Sequence, residues 1–148
     1  MAGQKKAFTF VEVILIVLFL GIFAVIAVPK LRFTALYRKQ ADTVARKIVT
    51  DLRRTRTLAI SNAATDPNGF ALNRTGLTYK IVDLHNGTTV TNSTVTIDST
   101  ITCSNGTSFQ FSPLGSLKAG SDSLLTISAG GKTFTITIIS ATGAVKCR

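Results

Sequence analysis

The chain has 148 residues, enough for one domain with an appendage, and a formal net charge of +10. Two cysteines and one histidine are too few for a zinc site of about four protein ligands, and a hydrolase triad would rest on that single histidine, His85. The charge is local: residues 30–56 hold nine basic side chains against Asp42 and Asp51, whereas residues 57–148 hold six basic against four acidic.

In chain order, the first element is an apolar run. From Phe8 to Val28 there are 21 residues, of which only Thr9 and Glu12 are polar. As a helix the run measures about 31 Å, close to the hydrocarbon thickness of a bilayer. A secretory signal peptide is the competing reading, but its apolar core is usually about 7–15 residues, and Val13–Val28 alone is longer. Glu12 is costly within such a run, so it is a functional candidate; the plain alternative is a carboxylate resting among headgroups.

Pro29 lacks an N–H and is expected to kink the helix. Beyond it, Ala41, Ala45, Ile48, Leu52, Thr55 and Ala59 repeat at spacings of four and three, an apolar stripe on one helix face. Lys39, Arg46, Lys47, Arg53 and Arg54 fall on the opposite side. The helix is expected to end near Ser61-Asn62, before the turn cluster Asp66-Pro67-Asn68-Gly69.

The period then changes to two. Strands are expected over 77–84, 94–103, 108–112, 124–128 and 133–139, where β-branched and aromatic residues alternate with polar ones. Asn86-Gly87, Asn105-Gly106, Pro113-Leu114-Gly115 and Gly130-Gly131 punctuate them, and the Gly130-Gly131 pair predicts a tight hairpin. His85 falls in a turn. Cys103 and Cys147 either form a disulfide or remain as two thiols; pairing requires an oxidising compartment.

Lys5-Lys6-Ala7 followed by Phe8-Thr9-Phe10-Val11-Glu12, an apolar helix and Pro29 resembles the leader and N-terminal helix of type IV prepilins and type II secretion pseudopilins. The resemblance implies that a prepilin peptidase cuts between Ala7 and Phe8 and methylates the new amino terminus. It makes Glu12 the assembly carboxylate that neutralises a neighbouring subunit's amino terminus, two costly charges becoming one pair. The family has Gly before the cut, and Ala7, the nearest residue in size, implies slower processing. Lys30, Arg32, Arg38 and Lys39 follow the span, where positive charge usually marks the cytoplasmic side; the leader motif favours the opposite orientation.

Phe109, Phe111, Gly115, the strands near 124–139, Gly143 and the tail Lys146-Cys147-Arg148 are similar to the C-terminal pattern of the minor pseudopilin H and FimT-like group. The expected fold class is α+β: a long N-terminal helix, transmembrane in its first half and kinked at Pro29, packed on an antiparallel β-sheet domain. The expected divisions are a leader, 1–7; a membrane and filament-core helix, 8–28; an amphipathic second half, 29–62; and a periplasmic β-rich domain, 63–148. There the cysteines are expected to pair, closing a loop of about 45 residues for about 4 kcal/mol.

The resemblance implies a minor pilin or pseudopilin, not an enzyme, with neither cofactor nor metal. Its expected partners are other pilin subunits, the prepilin peptidase, the assembly platform and the bacterial inner membrane. The chain would span that membrane once, with its N-terminus cytoplasmic. Three alternatives stay open. One is a major pilin that builds a long fibre, and another is a membrane-tethered periplasmic domain with no filament role. The third is a DNA-binding minor pilin, for which Arg46, Lys47, Arg53, Arg54, Lys146 and Arg148 are the basic candidates. The basic Gly-Arg-x-Arg associated with DNA uptake in some FimT-like proteins is only partly present: Gly143-Ala144-Val145-Lys146-Cys147-Arg148 lacks the first Arg and has Lys for the second.

Overall fold

A computed structural model describes residues 9–27 and 33–148, which fall into two compact units divided between Phe33 and Thr34. The first unit contains α1, Phe10–Ala27. Thr9 is its N-cap: its Oγ1 accepts from the Glu12 N–H at 3.3 Å, and its carbonyl accepts from the same group at 3.0 Å. After Glu12 no polar residue follows, and the large side chains from Phe10 to Val25 are exposed in this chain. Among the described residues no helix is long and apolar enough to cross a membrane. The expected span, 8–28, runs past both ends of α1 into residues outside the described ones. Ala7, Phe8 and Pro29 also lie outside them.

The second unit begins with nearly all of α2, Phe33–Ser61. All six residues of the expected stripe are buried, none more than 1% exposed, and Val49 joins them. Thr55 is tolerated there because its hydroxyl donates to the Asp51 carbonyl one turn back, at 2.7 Å. The helix stops at Ser61, as its sequence implies.

Eight strands follow: β1 Phe70–Thr75, β2 Thr78–Asp83, β3 Val95–Thr96, β4 Thr102–Ser104, β5 Ser108–Phe111, β6 Leu124–Ala129, β7 Lys132–Ile139 and β8 Ala144–Cys147. They form two antiparallel sheets, ordered β3-β2-β1-β5 and β4-β6-β7-β8. Gly130 and Gly131, both at positive φ, close the β6–β7 hairpin between paired Ala129 and Lys132. One core joins the α2 stripe to both sheets, with Phe109, Phe111, Ile127 and Ile136 fully buried. The chain is thus α+β, a helix packed on antiparallel sheets. Tyr79 fastens α2 to the first sheet, its buried hydroxyl donating to Asp51 Oδ2 at 2.6 Å. Burial, then that bond, pushes its pKa well above the ordinary range.

Three expectations change. β1 and β8 are strands the alternation did not reveal. The expected strand over 94–103 is instead two short ones, β3 and β4, because Asp98 accepts from both the N–H and hydroxyl of Thr100 at 2.8 and 2.7 Å and turns the chain. The expected Cys103–Cys147 disulfide is not formed, and both thiols are free. Cys103 lies on β4 and Cys147 on β8, opposite edges of one sheet with β6 and β7 between them. Three strand spacings are about 14 Å, twice the Cα separation of about 7 Å that a disulfide can bridge.

Candidate functional site

The expected assembly carboxylate, Glu12, occupies the first turn of α1. There a negative charge faces unpaired backbone N–H groups and is favoured by the helix dipole. The Thr9-x-x-Glu12 spacing is also that of a capping box, of which Thr9 supplies its half by accepting the Glu12 backbone N–H.

The glycines of the C-terminal pattern meet around one arginine. Arg56 of α2 donates from Nε to the Gly115 carbonyl at 3.0 Å. Gly143 packs over that carbonyl, and a Cβ at Gly143 would collide with it and lie 3.0 Å from Arg56 Nε. Both glycines have positive φ, 80° and 65°. The pattern therefore serves to bring the 112–117 loop and the β7–β8 turn against the end of α2.

The basic candidates divide. Arg46 and Arg53, one α2 face, open onto a groove of about 580 Å³ between α2 and the β7–β8 end of the second sheet. Cys147 of β8 and the following Arg148 border it, as do Lys132 and Phe134 from β7, with the Lys132 ammonium 4.8 Å from the Phe134 ring centroid. Asp42 is the one acid in the lining and pairs with Arg46 at 3.0 Å. Arg53 also reaches the Val145 carbonyl at 3.4 Å. Lys47 and Arg54 occupy the adjoining helix stripe, and Lys47 faces Asp51 at 3.6 Å. Lys146 alternates with buried Val145 and so projects from the other face of β8. Lys132 stands alone in the sequence after the Gly130-Gly131 turn, and only the fold brings it to the same groove as the arginines of α2.

His85 is accounted for structurally. Its N–H donates to Asp83 Oδ1 at 2.7 Å, and Asn86 donates to Oδ2 at 2.7 Å, closing the turn after β2. Burial works to raise the Asp83 pKa, but these bonds outweigh it and hold the carboxyl below its usual range. Burial pushes the Cys103 thiol up. Among the described residues no cluster of three His, Cys, Asp or Glu side chains is placed to hold a metal.

No protein-family model and no curated protein matches this chain. Among solved structures, the crystal structure of the type IV minor pilin FimU from Pseudomonas aeruginosa strain PAO1 is similar, with a TM-score of 0.59 and 17% identity. The match covers 75% of this chain and 90% of that one. At that identity the likeness carries the fold: the chain has a type IV pilin-like fold.

Proposed function

We propose that this chain is a minor pilin or pseudopilin, a structural subunit rather than an enzyme, that assembles into a filament in type II secretion or pilus formation. The observation that carries the reading is α1. A helix apolar on every side, with one carboxylate in its first turn, is placed ahead of a pilin-like domain. Such a helix is stable where hydrocarbon or other helices surround it. On this reading the chain waits in the inner membrane, N-terminus inside and sheets in the periplasm. A prepilin peptidase removes residues 1–7 and methylates Phe8, and the likeness of the C-terminal pattern supports membership of the pseudopilin H and FimT-like group. In the filament Glu12 accepts the amino terminus of the next subunit.

Glu12→Ala tests the reading in cells whose own copy of the gene is deleted. Membrane insertion should persist, because a charge leaves an apolar run. Co-isolation with the filament should fall, while mass spectrometry still finds methylated Phe8 at the N-terminus. Wild-type assembly by Glu12→Ala would remove Glu12 from the assembly role, and a wild-type chain that still begins at Met1 and isolates with no filament would remove the basis for a filament role.

A further inference from the structure

We propose that the groove between α2 and β8 receives an acidic, extended peptide segment of a different protein, added as a strand along the open edge of β8. Two observations support this independently.

The first is the main chain. β8 is the edge of its sheet. Arg148 exchanges both backbone bonds with Thr135, at 2.8 and 3.0 Å. Antiparallel pairing alternates, so the N–H and C=O of Cys147 and Val145 turn outward, away from β7. Arg53 takes the Val145 carbonyl. Cys147 itself lines the groove, and an exposed strand edge is a template for another strand.

The second is charge. Arg46, Arg53, Lys132 and Arg148 border the groove against Asp42 alone. A second copy of this chain, itself at +10, would bring like charge to that edge. The complementary occupant is therefore acidic and is not this protein. Nucleic acid fits less well. Lys47, Arg54 and Lys146 lie off the groove and provide no continuous track for phosphates, and Phe134, the one lining aromatic, is already covered by Lys132. That the acidic protein is a neighbouring filament subunit rests on the function proposed above; the chemistry of the groove does not.

The test uses the detergent-solubilised full chain and a fluorescent eight-residue peptide alternating aspartate and valine. The peptide should bind and should slow alkylation of Cys147 but not of Cys103. Arg46→Glu with Arg53→Glu should weaken binding about ten-fold or more, and Lys132→Glu, at an exposed position, several-fold. Asp42→Asn should tighten it several-fold by freeing Arg46. A lysine–valine peptide should not bind, and N-methylation of alternate peptide amides should abolish binding. The proposal is overturned if the aspartate–valine peptide does not bind, if Lys132→Glu binds it unchanged, or if the N-methylated peptide binds as well. It is also overturned if a 20-base-pair duplex protects Cys147 and displaces the peptide, which would make the groove a phosphate site. Peptide binding by a wild-type chain that isolates with no filament would keep the groove and discard the filament.

Discussion

Gly143→Ala separates steric need from backbone preference at the junction of the 112–117 loop with α2. Two costs combine. Alanine at φ 65° sits in the left-handed region, at about 1–2 kcal/mol. Its Cβ would also drive the Gly115 carbonyl from Arg56 Nε, breaking a part-buried bond from a charged donor, for about 1.5–3 kcal/mol. The sum is about 3–5 kcal/mol, a large share of the 5–15 kcal/mol that typically holds a domain. Gly87 is the control: its φ of 69° is nearly the same, but an added Cβ meets nothing within 4 Å. Gly87→Ala should cost only about 1–2 kcal/mol. Residues 34–148, which contain the whole core, can be expressed alone and melted by circular dichroism. At about 4 °C per kcal/mol for a domain of this size, Gly143→Ala should melt about 6–12 °C below Gly87→Ala. Equal melting temperatures would show that the close packing under Arg56 contributes nothing.

Denatured, unreduced protein should titrate with two free thiols per chain, since Cys103 and Cys147 sit on opposite sheet edges; a mass deficit of two hydrogens would contradict the strand order. Asp122 accepts from the N–H groups of Ser108 and Thr107 at 2.9 and 2.6 Å, and these bonds depress its pKa. Its folded pKa lies below its unfolded one, so its contribution is complete above the unfolded value, near pH 4, and is lost as pH falls through the folded value. Asp122→Asn should lower stability at neutral pH by about 1 kcal/mol, discounted for its exposure, and flatten the acid limb of a pH–stability curve. An unchanged acid limb would count against that bonding.

How legible the molecule was depended on the range of the forces. The α2 stripe was readable residue by residue because burial on a helix repeats locally, from Ala41 to Ala59. The Gly130-Gly131 hairpin was readable because its turn demands positive φ at two adjacent residues. β1 was hidden because Asn73 and Arg74 break its alternation. In the fold their polarity is satisfied at a distance: the Ser108 hydroxyl donates to Asn73 Oδ1 at 2.8 Å, and Arg74 donates to the carbonyls of Gly106, Gly76 and Asn105. Strand order is a long-range property, and the separation of Cys103 from Cys147 depends on it. The groove was half legible for the same reason: the helix supplied Arg46 and Arg53 by periodicity, whereas Lys132 arrived by topology.

The three arginine–carbonyl contacts along α2 have a mechanical consequence. Arg38 holds the Gly130 carbonyl at 2.8 Å near the start of the helix, Arg53 holds Val145, and Arg56 holds Gly115 near its end. From Arg38 to Arg56 the helix rises about 27 Å. A tug along the axis of α2 loads these clasps and the buried stripe together, in shear, so none can be peeled open before the next. Tension applied to the helix is thereby shared between the second sheet, through Gly130 and Val145, and the loop after β5, through Gly115.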